Sequence, residues 1–162
     1  SNMGLHAYAE KNDMRIECSN VGDRYVLEMM LEKGYILGGE QSGHVIFLEY
    51  ASTGDGELTA LQFMSILKES GKKCSEIAQE VVPWPQLMVN VKVPNDKKSK
   101  LHELPPVREA IEAAEAELGE DGRILVRPSG TEALVRVMVE AKDSAKVDSL
   151  AKSVAKVIES VV

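Results

Sequence analysis

The chain has 162 residues, a formal net charge of −7, 44% apolar and 28% charged residues. That length admits one domain or two small ones, and the apolar content suffices for a packed core. The negative balance argues against a nucleic-acid or anionic-membrane partner, and no apolar run approaches the roughly 18 residues of a membrane span.

Residues 4–12 read as a short helix, and Arg15-Ile16-Glu17-Cys18 as a strand closed by a turn at 19–22. Tyr25, Val26, Met29, Met30 and Lys33 fall at helical spacing, with Gly34 as the stop. The methionine pair is core filling rather than a ligand set. The next stretch, Gly38-Gly39-Glu40-Gln41-Ser42-Gly43-His44, reads as a glycine-marked loop before the apolar run Val45-Ile46-Phe47-Leu48. A carboxylate and a hydroxyl two residues apart can grip neighbouring hydroxyls of a sugar. Spacing alone favours the plainer reading, in which they are solvated turn residues and His44 merely opens the strand. Thr53 or Asp55 caps a helix that runs through Leu58, Leu61, Gln62, Ser65 and Ile66 to Gly71. Capping suits Asp55 better than metal ligation. A second short helix is predicted over 75–82.

Val82-Pro83-Trp84-Pro85 reads as a boundary, because two prolines disfavour continuing a helix. The expectation is two lobes, 1–82 and 86–162, hinged there. Leu87, Val89, Val91 and Val93 alternate as one face of a strand. Residues 95–100 are Lys-rich and polar, and are assigned as a solvated loop. Pro105-Pro106 opens a helix whose stripe is Val107, Ile111, Ala114 and Leu118, ending at Gly119. Two β-branched runs, 123–126 and 134–139, then flank Arg127-Pro128-Ser129-Gly130-Thr131-Glu132, which predicts an antiparallel hairpin. Asp143 or Ser144 caps a last helix carrying Val147, Leu150, Ala151, Val154, Ile158 and Val161. This half is thus an α+β unit with both helices on one sheet face, and the 86–93 strand joins the hairpin, since two strands alone are marginal.

The 127–132 loop carries the chemistry of a tetrahedral-anion site. Arg127 offers a planar, always-charged fork, Ser129 and Thr131 offer hydroxyls, and Gly130 permits a backbone conformation that a side chain would resist. The amides around Gly130 can converge on an anion. An ordinary hairpin turn with a surface arginine is the competing reading. Residues 1–82 carry 7 Lys/Arg against 13 Asp/Glu, and 83–162 carry 12 against 13, so such a site is local rather than part of a basic field. Arg136 joins Arg127 only if the strand register puts both on one face.

Two cysteines, Cys18 and Cys74, show no metal-ligand spacing and form no disulfide framework, and His6, His44 and His102 are scattered. With no secretory signal read at the N-terminus, the expected location is cytoplasmic.

Taken in register, Val21-Gly22-Asp23-Arg24-Tyr25-Val26, Gly39-Glu40-Gln41-Ser42-Gly43-His44, Thr53-Gly54-Asp55-Gly56 and Arg127-Pro128-Ser129-Gly130-Thr131-Glu132 resemble the motifs of bacterial phosphoglucosamine mutases, within the α-D-phosphohexomutase superfamily. The resemblance spans essentially the whole chain. It implies the later part of a mixed α/β sugar-recognition domain over 1–82, then a small α+β phosphate-binding domain over 83–162 with an antiparallel sheet covered by two helices. Glu40, Ser42, His44 and Asp23 are thereby substrate-binding candidates. Arg127, Ser129, Gly130 and Thr131 are phosphate-binding candidates. The family interconverts glucosamine 6-phosphate and glucosamine 1-phosphate, using a phosphoserine and Mg2+ held by an aspartate-rich loop. Neither a Ser-His-Asn-Pro nor an Asp-Gly-Asp-x-Asp run occurs here. The resemblance therefore implies a C-terminal fragment that is inactive alone, has no catalytic or metal-ligating residue, and partners a phosphosugar and N-terminal domains of the same chain. Ala133 departs from the family, which usually has proline there. A phosphoglucomutase or phosphomannomutase, or a stand-alone sugar-phosphate-binding module, are the alternatives.

Overall fold

Along the first half of the chain two helices precede a short hairpin and two more follow it, with glycines ending the second and third helices. The computed structural model describes residues 1–162 and divides them into two units, Ser1 with Met3–Val82 and Asn2 with Pro83–Val162. Half-exposed apolar side chains dominate the first unit, and a valine-rich sheet dominates the second.

In the first unit, α1 (Met3–Lys11) and α2 (Asp23–Lys33) precede β1 (Leu37–Gly39), β2 (Val45–Phe47), α3 (Gly56–Ser70) and α4 (Cys74–Ala78). Helix α2 ends at Gly34, whose φ of 72° is costly for other residues and whose amide donates to the Met30 carbonyl. Strands β1 and β2 form an antiparallel hairpin with Gly38 opposite Ile46. A side chain at Gly38 would collide with Met30 and Val26, so this glycine lets α2 lie against the hairpin. Asp55 is the cap of α3, its Oδ1 accepting from the Glu57 and Leu58 amides at 2.9 and 3.0 Å.

Three expectations change in this unit. Gly38 and Gly39 lie in a strand rather than a loop. The helix predicted over 75–82 shortens to Cys74–Ala78. Residues 15–18 have no ladder partner, because β1 and β2 pair only with each other. Charge holds that segment instead: the Glu17 carboxylate forms ion pairs with Arg15 and with Lys33 of α2.

The second unit contains β3 (Gln86–Lys92), α5 (Asn95–Lys98), a 3-10 turn at Leu101–Glu103, α6 (Pro105–Leu118), β4 (Gly122–Pro128), β5 (Leu134–Ala141) and α7 (Ser144–Val161). Its antiparallel sheet has the order β3-β5-β4, so the predicted third strand does complete the hairpin. Val135, Val137 and Val139 of β5 are fully buried, with Val91, Val107, Val154 and Ile158 among the side chains around them. Helices α6 and α7 pack against each other and over this one face. Asp143 caps α7 by accepting from the Ala145 amide at 2.8 Å. The α/β and α+β character read from the sequence holds. The Lys-rich segment is the exception: residues 95–98 are helical, and Leu101 is 1% exposed within the core.

Candidate functional site

The tip of the β1–β2 hairpin gathers three of the four substrate-binding candidates of the first unit. The turn is closed by Glu40 N donating to His44 O at 2.9 Å and Gly43 N donating to Glu40 O at 3.0 Å, with Gly43 at φ 101°. Ser42 Oγ lies 2.8 Å from Glu40 Oε2 and 3.0 Å from His44 Nδ1. A hydroxyl has one proton, and the carboxylate is the stronger acceptor, so Ser42 donates to Glu40. The hydroxyl oxygen then accepts from Nδ1–H of His44, which leaves Nε2 as a free acceptor. The imidazole lies over Gly54, where an added Cβ would come within 2.8 Å of His44 Cδ2. A cavity of about 210 Å³ opens between the 42–45 turn and residues 54–56. Carboxylate, hydroxyl and imidazole on one exposed turn offer several acceptors to a polyol. Asp23 is apart from this chain: it begins α2 and accepts from the Arg24 amide at 2.9 Å.

In the second unit the 129–133 loop joins β4 to β5. Ser129 N donates to Leu134 O at 2.9 Å, and Ser129 Oγ accepts from Glu132 N at 3.2 Å. Ser129 is 5% exposed, so its hydroxyl organises the turn. Gly130 and Thr131 are exposed, and their amides donate to no protein acceptor. Gly130 corrects the sequence reading. Its φ lies outside the left-handed region, and a Cβ there would meet open space. What glycine supplies at this position is clearance rather than an unusual conformation.

Strand register decides the question of Arg136. Arg127 and Arg136 are direct cross-strand partners, and Arg136 also faces Asn90 of β3, so the three form one row on the face opposite the helices. Arg136 Nη2 is 3.2 Å from Glu132 Oε2, whereas the Arg127 guanidinium has no protein partner. Like charges directly opposite each other are destabilising, and an anion between them reverses the sign. Lys98 is the residue that sequence reasoning missed. Its Nζ donates to the carbonyls of Ser129 at 2.7 Å and Glu132 at 3.1 Å. Within a lysine run, nothing local distinguishes the one that reaches a turn 31 residues away.

No group of three or more His, Cys, Asp or Glu side chains is placed to hold a metal ion. Asp55 is committed to capping its helix. No helix is long and apolar enough to cross a membrane.

Comparison with known proteins gives a consistent set of likenesses. Residues 1–83 match the model of the phosphoglucomutase/phosphomannomutase alpha/beta/alpha domain III, and residues 88–157 match that of the phosphoglucomutase/phosphomannomutase C-terminal domain. A phosphoglucosamine mutase of Streptococcus mutans is 50% identical over 159 residues, 98% of this chain and 35% of that protein. One from Ruminiclostridium cellulolyticum is 52% identical over the same shares. Among solved structures, an Aspergillus fumigatus N-acetylphosphoglucosamine mutase superposes with a TM-score of 0.81 at 23% identity, covering 99% of this chain and 37% of that one. A second structure of that fungal enzyme, in complex with GlcNAc-6P and magnesium, gives 0.75 at 22% identity, covering 97% and 39%. The chain thus spans about 35% of the length of the curated relatives it matches.

Proposed function

The chain belongs to the phosphoglucomutase/phosphomannomutase family, and on that premise we propose that it is the substrate-recognition part of a phosphoglucosamine mutase, acting on glucosamine 6-phosphate and glucosamine 1-phosphate. In this reading Glu40 and Ser42 accept from sugar hydroxyls, and His44 presents Nε2 beside them. Asp23, at the start of α2, is a lesser candidate for the same role. Arg127, with Gly130 and Thr131, holds a phosphate that does not react. Ser129 shapes the turn, and Arg136 adds a second cation from the facing strand. The phosphoserine and the magnesium loop of the reaction belong to segments of the longer enzyme, and this chain alone turns nothing over. Positioning without the reacting groups lowers no barrier.

The observation that carries the proposal is the Arg127 guanidinium, free of protein partners and facing Arg136 beside two unpaired amides. Hydrogen bonds to a charged group contribute roughly 1.5–3 kcal/mol each, so Arg127→Ala is expected to weaken glucosamine 6-phosphate binding by about ten- to a hundredfold in calorimetric titration. Arg127→Lys recovers part of this, because an ammonium lacks the planar fork. In the longer enzyme, Glu40→Ala raises KM while leaving the melting temperature nearly unchanged. Turnover by the purified chain, or unchanged binding after Arg127→Ala, refutes the reading. Stronger binding of glucose or mannose phosphates moves the assignment to the phosphoglucomutase/phosphomannomutase specificities.

A further inference from the structure

We propose that Lys98 is a positioning residue that aims the amide of Gly130 at the bound anion by clasping the back of the 129–132 turn. The inference rests on the reading of this loop as a phosphate site. Lys98 is partly buried at the end of α5, and its Nζ donates to the Ser129 and Glu132 carbonyls at 2.7 and 3.1 Å. Peptide groups are planar and trans, so each carbonyl points opposite to the N–H of the following residue. No peptide bond here is cis. Holding the two carbonyls on the Lys98 side therefore turns the N–H groups of Gly130 and Ala133 to the other side, where no protein acceptor meets them. Gly130 has open space where a Cβ would stand, so an anion can come up to its amide.

The clasp also substitutes for something the turn lacks. Gly130 and Thr131 are exposed and make no backbone hydrogen bond of their own. Ser129 N to Leu134 O at 2.9 Å closes its base, and Ser129 Oγ with Glu132 N at 3.2 Å spans its tip, but neither bond fixes the Ser129 or Glu132 carbonyl. A two-pronged donor from a separate helix fixes the orientation of two peptide groups at once. Preorganised donors bind an anion more tightly than donors that must first be ordered.

The test titrates inorganic phosphate into the 162-residue chain while following the Gly130 and Thr131 amide resonances. Lys98→Met, of similar length but without donors, is expected to weaken binding roughly tenfold and to shrink the phosphate-induced shift of Gly130. Lys98→Arg restores most of both, since it again offers several donors. The deficit persists in 1 M salt, where the screening length is about 3 Å and a bare charge effect fades. Should Lys98→Met disturb the rest of the spectrum, Lys98→Gln, which keeps one donor group, carries the comparison. Wild-type affinity in Lys98→Met, with binding abolished in Arg127→Ala, overturns the clasp and leaves the phosphate site standing. A deficit that vanishes at high salt overturns it too, reducing Lys98 to a charge. No phosphate response in the unaltered chain sinks the site reading and the clasp together.

Discussion

Glu17 shows what a single side chain contributes where no hydrogen-bonded ladder is available. The hydrogen bond from Lys33, with the neighbouring Tyr35 hydroxyl and the Arg15 charge, holds its carboxyl below the ordinary value of 4.5 against the opposing effect of burial. A group whose pKa is depressed on folding stabilises the fold above its unfolded value, and that contribution disappears as pH falls through the folded value. Glu17→Gln is therefore expected to lower the urea midpoint of the first unit at pH 7 and to approach the wild type at acid pH, as the carboxyl protonates below its depressed pKa. A difference that is equal at both pH values would show a packing role instead. The same scale separates what was legible in the sequence from what was not. Glu40, Ser42 and His44 meet because local geometry brings alternate positions of one turn together, but spacing alone left them as solvated turn residues, and the family resemblance singled them out. Lys98 could not be read, since its partners come from across the sheet. Arg136 hung on register parity, which only the pairing of Arg127 with Arg136 resolves.

Elements with a long periodic face were the readable ones. Helix α7 offers Val147, Ala151, Val154 and Ile158 at helical spacing, and all are buried. Ile158 is fully enclosed, so Ile158→Ala is expected to cost about 2–5 kcal/mol in denaturant unfolding of the second unit. Lys156→Ala, on the exposed side of the same helix, is expected to stay within about 0.5 kcal/mol. Comparable losses at both positions would contradict the packing. Four-residue α5 carries too few turns for periodicity to register, and its composition suggested a solvated loop. Strand β1 escaped notice for a different reason: two of its three residues are glycines, a poor strand signature that closeness to Met30 overrides. At α3 the sequence left Thr53 and Asp55 open as caps, and geometry chose Asp55.

At the scale of the whole molecule, contacts divide the chain between Val82 and Pro83, apart from Asn2, which groups with the second unit. We propose that the chain can be cleaved where the two units meet in sequence, at Val82, and that each unit survives cleavage there. Limited proteolysis is expected to cut first beside Val82, which is 71% exposed. Residues 95–104 resist longer, because Lys98 and Leu101 pin that segment to the loop and the core. An early cut within 95–104, or loss of both halves at one rate, would contradict this. The first unit also exposes Leu61, Met64 and Ile66 along α3, at 63%, 54% and 51%. Sequence periodicity marked Leu61 and Ile66, but not Met64, without revealing whether anything covers them.

The strand order has a consequence in time. β5 lies between β3 and β4 although it is the last of the three to be synthesised. Even the nearest β3–β5 pair, Lys92 and Leu134, is more than forty residues apart along the chain. A hairpin closes in roughly 1–10 μs, whereas a ribosome adds about 5–20 residues per second. A nascent β3 therefore waits several seconds for its partner, while β4 pairs almost as soon as β5 emerges. The turn at 129–133 sets when the sheet can begin to form, and the strand bearing Arg136 is the one whose arrival completes it.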